Sequence, residues 1–374
     1  RDRVMTTGLD LSLRIRQGTF ALVATARVAP GQVLGIIGAN GSGKSTLLGA
    51  IAGSHRLHDG IVQLNDRVLS RRTGGDAEVA IRRPERRIGL LDQRALLFPH
   101  LDARENIAFA PRALGVHRRE ADRIAESWLE RVGLPGRGDA RPRDLSGGQQ
   151  QRVAIARTLA AEPELLLLDE PFAALDVTSR SELRSIIAAE VGRLGIPTVI
   201  VSHDPLDLIT LADRMLVLES GRVAQEGSVA SVLEFPATPF AAAFAGRALL
   251  RGTSGAPGEL RREQPPIDAL RGHGTLPEMG SAAVASFDPA RVQIVPSTRP
   301  NDTSRDTASD APNTWHGSIG AVSTGPSGIR VECAEWPEVW ATLPLARALE
   351  PWLVPGASAE WHMPEDDLRF ATPA

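Results

Sequence analysis

The chain has 374 residues, 42% of them hydrophobic and 23% charged, an ordinary balance for a globular protein of about two domains. Its net charge of −3 argues against a dedicated nucleic-acid binder, which would carry a basic excess. The lone cysteine, Cys333, excludes an internal disulfide framework, fits a reducing compartment and reads as a small buried apolar residue. No stretch approaches the ~18 uninterrupted apolar residues that span a bilayer. The first residues, RDRVMTTGLDLSLRIRQG, lack the apolar core of a signal peptide, and Met5 is expected near the natural start. Action at a membrane is therefore expected to go through a partner.

From about residue 9 to 240, short apolar runs alternate with helical stretches. VLGII (33–37), LLLL (165–168) and TVIV (198–201) read as buried strands. Helix-like sequence follows each, at Ser45–Ala52, Ser179–Leu194 and Pro205–Ala212. Buried strands alternating with helices predict an α/β fold with a mainly parallel sheet covered on both faces. Arg104–Arg131 has no strand signal, and a helical subdomain is expected over about 94–160. The first domain is expected to cover 1–244.

Composition changes after Phe244. Residues 245–280, rich in Gly, Pro and Arg, read as a linker, and the polar stretch 298–313 is expected to be mobile. Five of the six tryptophans, Trp315, Trp336, Trp340, Trp352 and Trp361, fall in the last 60 residues. Aromatics at that density need burial. Residues 281–374 are thus expected to fold, with SIGAVS, GIRVECA, VWATL and SAEWHM as short strands of a small all-β barrel-like domain.

One of the 42 lysine and arginine residues is a lysine, Lys44; all others are arginine. It lies in Gly38-Ala39-Asn40-Gly41-Ser42-Gly43-Lys44-Ser45-Thr46, which satisfies G-x-x-x-x-G-K-[ST] between a strand and a helix. Glycines let backbone N–H groups turn inward around phosphate, and the helix N-terminus adds partial positive charge. Lys44 would reach the β- and γ-phosphates and Ser45 would bind Mg²⁺. Arginine is a planar fork and lysine a slim stem with a compact charge. A nest closed around phosphate has room for the stem alone, which explains why this one basic site stayed lysine.

LLLLDEPF (165–172) ends a buried strand with two carboxylates. Asp169 is placed to hold Mg²⁺, and Glu170 to polarise an attacking water. His203, in VIVSHDP, follows another buried strand and would face the γ-phosphate; Gln93 is a candidate to contact Mg²⁺ and water. Ser146-Gly147-Gly148-Gln149, within LSGGQQQRVAIARTLA (145–160), opens a helix and offers a second anion-binding N-terminus.

LSGGQ together with these segments resembles the ATP-binding cassette (ABC) ATPase family over roughly residues 9–240. The resemblance implies that Ser146, Gly147, Gly148 and Gln149 cover the ATP held by another subunit's P-loop, so that a homodimer sandwiches two ATPs. It makes Gln93 the Q-loop glutamine, Asp176 the D-loop aspartate and His203 the switch histidine. Asp176 also reads as a helix N-cap. The family usually stacks an aromatic on adenine, and Phe20 is the nearest candidate upstream of the P-loop, in a chain without tyrosine. LFPHLDARENIAF (97–109) and the N-terminal LDLSLRIRQGTFALVATARVAPGQV look like importer ATPases, the latter of the molybdate type. There the helical subdomain near Gln93 receives the membrane subunit. The tail resembles the TOBE or Mop-type domains of these importers. It departs from molybdate-binding examples, which carry a Ser-Ala-Arg-Asn stretch and a late lysine. Here Ala311-Pro312-Asn313-Thr314 and Glu360-Trp361-His362 stand instead, and no ligand residues are assigned there.

The expectation is an ATP-hydrolysing importer subunit with ATP and Mg²⁺, most consistent with molybdate. It would sit peripherally on the cytoplasmic side of the membrane through a separate permease, served indirectly by a substrate-binding protein. Sulfate, iron, polyamine or sugar import are alternatives within the class. Outside it stand a soluble non-transport ABC ATPase and an anion-sensing regulatory protein.

Overall fold

Buried and exposed residues alternate along β1 (Leu9–Gln17) and β2 (Phe20–Val28), which pair antiparallel from Leu9 opposite Val28 to Gln17 opposite Phe20. The computed structural model describes residues 8–74, 77–93, 95–173, 175–262, 267–297, 311–325 and 328–373. The chain divides into two units, Arg1–Val229 and Ala230–Ala374.

In the first unit, β3 (Val33–Ile37) is buried at every residue and leads into α1 (Lys44–Ala52). An antiparallel arm follows, formed by β4 (Asp59–Leu64), β5 (Arg67–Arg72) and β6 (Val79–Ala80). After β7 (Ile88–Leu91) come three helices, α2 (Ala103–Ala113), α3 (Arg118–Arg131) and α4 (Gly147–Leu159). Then β8 (Leu165–Asp169), α5 (Val177–Leu194), β9 (Thr198–Val201), α6 (Pro205–Leu211), β10 (Arg214–Glu219) and β11 (Arg222–Ser228) complete the unit.

The eleven strands form one sheet in the order β6-β5-β4-β1-β2-β11-β10-β3-β9-β8-β7. The run β10-β3-β9-β8-β7 is parallel, as the buried apolar strands require, while β6 to β2 is the antiparallel arm. The sheet is thus more evenly mixed than a mainly parallel one. The arm's strands alternate in polarity, because only one face meets the core formed with Leu47, Leu48 and Ile51 of α1. The stretch Arg104–Arg131, expected to be helical, forms two helices separated at Leu114-Gly115, where Gly115 takes φ +91°.

The second unit corrects two expectations. The division falls at Val229/Ala230 rather than at 244, so α7 (Pro239–Phe244) belongs with the second unit, where it packs beside β12 (Ala248–Ser254). The 245–280 stretch is also not a linker. It contributes β12, β13 (Glu259–Arg261), β14 (Ala269–Arg271) and β15 (His273–Gly274) to a six-stranded sheet completed by β16 (Ala282–Phe287) and β22 (Arg369–Ala371). Leu250, Leu260 and Leu270 are each fully buried there. Apart from the seven residues of β12, the strands of this stretch are only two or three residues long, too short to show a period-2 pattern among Gly and Pro turns.

A five-stranded antiparallel sheet joins β17 (Gln293–Pro296), β21 (Ser358–His362), β18 (Thr314–Gly325), β19 (Gly328–Cys333) and β20 (Trp340–Leu343). The four runs read as strands coincide with β18 to β21. Both sheets feed one core, in which Trp315 stacks on Trp361 with centroids 6.2 Å apart. Such a pair adds about 0.5–1.5 kcal/mol beyond its buried area. Cys333 is buried in this core, and burial pushes its thiol up to about 12. The expected mobile stretch lies outside the described residues from 298 to 310. Asn313, at φ +55°, closes onto β14, accepting from the Arg271 amide at 2.7 Å and donating to its carbonyl at 2.8 Å.

Candidate active site

Because β3, β9, β8 and β7 run parallel, their C-terminal ends lie along one edge of the sheet. That edge receives the loop from Gly38, the pair Asp169-Glu170, the loop Ser202-His203 and the segment Asp92-Gln93. Ligand sites of open α/β sheets form at this edge.

The loop from Gly38 to Gly43 is shaped by its glycines. A Cβ on Gly38 would sit 2.3 Å from the Leu218 carbonyl oxygen and 2.5 Å from Ser42 Oγ. Gly43, the N-cap of α1, has φ +110°, and a Cβ there would meet the Phe20 ring at 3.0 Å. Phe20 therefore lies against the P-loop backbone. No side chain caps α1, so its first-turn N–H groups, at Lys44, Ser45 and Thr46, keep no intrahelical acceptor. Ser42 Oγ is buried without a hydrogen-bond partner in the protein.

Lys44 Nζ donates to the carbonyls of Gly38 at 2.7 Å and Ala39 at 3.1 Å, which leaves one of its three donors for a ligand. Burial pushes its pKa below the ordinary lysine value, against the attraction of Glu170 and Asp169. Ser45 Oγ donates to Asp169 Oδ2 at 3.2 Å. Burial raises the Asp169 pKa; the Ser45 hydrogen bond opposes this, and the negative charges of Glu170 and Asp92 add to it. Two hard oxygens beside a carboxylate whose charge is disfavoured suit a small divalent cation, so Ser45 and Asp169 fit Mg²⁺.

Glu170 has φ +48°, a conformation that costs a non-glycine residue about 1–3 kcal/mol and concentrates at functional sites. Its amide still donates to Val201 at 3.0 Å, extending the sheet, while its carboxylate turns toward two partners. Gln93 Nε2 donates to Glu170 Oε2 at 3.1 Å, and His203 Nδ1 lies 3.4 Å from the same oxygen. The structure thus joins Gln93, Glu170 and His203 at one carboxylate, with Ser45 and Asp169 as a second pair.

Ser146 is the N-cap of α4 in a closed capping box: its Oγ accepts from the Gln149 amide at 3.3 Å, and Gln149 Oε1 accepts from the Ser146 amide at 3.0 Å. Asp176 caps α5 by accepting from the Ser179 amide at 3.0 Å, and that hydrogen bond holds its pKa below the usual value. The N-cap reading of Asp176 is therefore present in the geometry.

Two residues escaped the sequence reading. Asn106 is fully buried on α2, accepting from the Phe98 amide and donating to the carbonyls of Phe98, Leu101 and Asp102, so it shapes the 97–102 loop. Arg157 of α4 holds the carbonyls of Ala95 and Leu96 at 3.2 and 3.1 Å and lies over the Phe98 ring. Their signal was an Asn inside a helix, where propensity disfavours it, and an Arg four residues after a buried Val.

A P-loop with an uncapped helix, a strand-end Asp-Glu pair and a histidine at the next strand define an ATP-binding cassette. The ABC transporter family model matches residues 23–173. The chain is 46% identical over 277 residues to the Molybdenum import ATP-binding protein ModC of Mycobacterium tuberculosis, covering 72% of this chain and 73% of that one. It is 37% identical over 274 residues to the Sulfate/thiosulfate import ATP-binding protein CysA of Thermosynechococcus vestitus, covering 73% of each. Among solved structures, the ATP-binding cassette MJ0796, in a dimeric post-hydrolysis state bound to ADP and Pi, matches with a TM-score of 0.51 at 27% identity. The match covers 59% of this chain and 98% of that one. The chain belongs to the ABC transporter family, as an ATP-binding, ATP-hydrolysing subunit of the import type.

Proposed function

We propose that this subunit energises uptake of an oxyanion, molybdate first, through a separate membrane permease. The observation that carries the reading is the convergence of Lys44, Ser45, Asp169, Glu170, Gln93 and His203 at one sheet edge. The likeness to a molybdenum import protein over nearly three quarters of both chains directs it to molybdate.

The backbone from Gly38 through Asn40, Gly41, Ser42 and Gly43 to Thr46 wraps the phosphates, and Lys44 gives its remaining donor to them. Phe20, already against the P-loop, offers its ring to the adenine. Ser45 and Asp169 would hold Mg²⁺, assisted by Gln93, and the bound ion would supply charge neutralisation at the phosphates. Glu170 takes a proton from the attacking water, oriented by the amide of Gln93 and the ring of His203. Ser146, Gly147, Gly148 and Gln149 of one copy close over the ATP of a second copy, with Asp176 beside them; the dimeric MJ0796 structure supports this. Leu96 and Phe109 are exposed beside Phe98, an apolar surface suited to the permease, which would hold the subunit peripherally at the cytoplasmic face. A substrate-binding protein acts through that permease. The second unit, in this reading, is a TOBE/Mop-like domain.

The test is co-reconstitution with the permease in vesicles, following ATP-dependent molybdate uptake. Hydrolysis stimulated by sulfate transport, without molybdate uptake, would transfer the cargo to sulfate, the reading the CysA likeness favours.

A further inference from the structure

α5 carries two arginines one helical turn apart, Arg180 and Arg184, and both grip the segment that follows β9. Arg180 Nη1 lies 2.5 Å from Asp204 Oδ2. Arg184 donates to Asp207 Oδ1 through Nη2 at 2.5 Å and Nε at 3.1 Å. The other oxygen of Asp207 accepts from Ser202 Oγ at 2.7 Å, and Ser202 Oγ accepts from the Asp204 amide at 3.1 Å. Asp204 also caps α6 through the Leu206 amide at 2.9 Å. His203 thus stands between two residues of this network, while its own side chain is 63% exposed and gains little restraint from packing.

The same arginine reaches the other half of the catalytic edge. The Arg184 guanidinium lies over the ring of Phe172, two residues beyond Glu170, at 5.7 Å from its centroid. Gln151 of α4 donates to the intervening Pro171 carbonyl at 2.9 Å. Arg184 and Asp207 are 7% and 2% exposed. Desolvation offsets most of the attraction in such a pair, so net stability is a poor reason for it. What it supplies is a fixed geometry, here between the loop carrying His203, the segment after Glu170 and the helix that Asp176 caps.

We propose that Arg180 and Arg184 are positioning residues for hydrolysis. They clamp Ser202–Asp204 onto α5, so that the His203 ring stays at the Glu170 carboxylate and follows any movement of the helix beginning at Asp176. The inference rests on the ATPase reading above. Its test is steady-state ATPase kinetics on the full chain for Arg180→Ala, His203→Ala and the double variant, with Arg180→Lys as the conservative control. Arg180→Ala should lower kcat about tenfold, equivalent to about 1.4 kcal/mol of barrier, with KM for ATP within about twofold. Arg180→Lys should recover most of the loss. The double variant should be no slower than His203→Ala alone, because Arg180 acts through that ring. Should Arg180→Ala fold poorly, the same cycle with Arg180→Gln decides. Losses that multiply, or an unchanged kcat, overturn the inference. Wild-type protein without ATPase activity overturns the ATPase reading instead.

Discussion

The N-termini of α1 and α4 differ in one physical respect. α4 is closed on itself, with Ser146 and Gln149 satisfying each other's backbone donors. α2, α5 and α6 are likewise capped by Asp102, Asp176 and Asp204. α1 has a left-handed glycine at its N-cap, no side-chain cap and no acid in its first turn. A cap contributes about 0.5–2 kcal/mol, and α1 forgoes it at the place where phosphate would supply the missing acceptors. The open end is a site prepared in the single chain. At the closed end, the phosphate of a second copy that we propose to bind there would have to compete with the protein's own side chains.

The largest effect expected is on whether the two ends meet. Glu170→Gln keeps both N-termini intact and removes the base, so hydrolysis should fall by about 10²–10⁴-fold while ATP still drives dimerisation. Sizing with ATP and Mg²⁺ reads the trapped dimer. Normal hydrolysis in the variant would show that Glu170 is not the base, and a monomer with bound ATP would show that the α4 end does not close over nucleotide.

Next is the open end itself. Lys44→Arg preserves charge but puts a planar fork where a stem now reaches two loop carbonyls. A charge-assisted hydrogen bond is worth about 1.5–3 kcal/mol, so ATP affinity should drop about 10–100-fold in a calorimetric titration. Lys44 has the chain's one side-chain amine, so ATP should also protect the wild type from an amine-selective reagent at that site.

A smaller effect with a defined sign comes from Asp169. Burial raises its folded pKa, so between the unfolded value and that raised value the native state holds more protons. Stability then falls as pH rises through this window and is lowest above it. Asp169→Asn should therefore raise the melting temperature without nucleotide at neutral pH, and the gain should vanish on acidification below the ordinary carboxylate value. Mg²⁺-dependent hydrolysis should be lost in the same variant. A variant melting lower than wild type at neutral pH would contradict the burial argument.

The sequence made the α1 end readable and the second unit much less so, for reasons of range. The P-loop chemistry lies within nine consecutive residues, and each catalytic side chain follows a strand buried on both faces, so local pattern located Asp169, Glu170 and His203. The carboxylate meeting point needed folding to appear: Gln93 is 77 residues from Glu170, and only the β7-β8-β9 order brings them together. In the second unit, β15 pairs with β22 across nearly a hundred residues, and Asn313 closes on Arg271. Short strands whose partners are that distant carry no local signature. The tryptophans betrayed a core there, and four short runs marked β18 to β21, but nothing local marked the six-stranded sheet.

The smallest effect separates the two roles of Ser146. In the single chain its hydroxyl is a cap, and replacing such a residue by alanine costs about 0.5–2 kcal/mol, but by glycine only a few tenths. In the proposed contact with the ATP of a second copy the hydroxyl would be a donor to phosphate, and alanine and glycine lack it equally. Ser146→Ala should thus melt lower than Ser146→Gly without nucleotide, while both lose ATP-driven dimerisation to the same extent. Gln149→Ala opens the box from the other side, leaving the Ser146 hydroxyl in place and its amide free. It should lower the melting temperature yet spare dimerisation more than either Ser146 variant. If all three melt alike, the α4 end is not held by its box, and the contrast with α1 reduces to backbone conformation at Gly43.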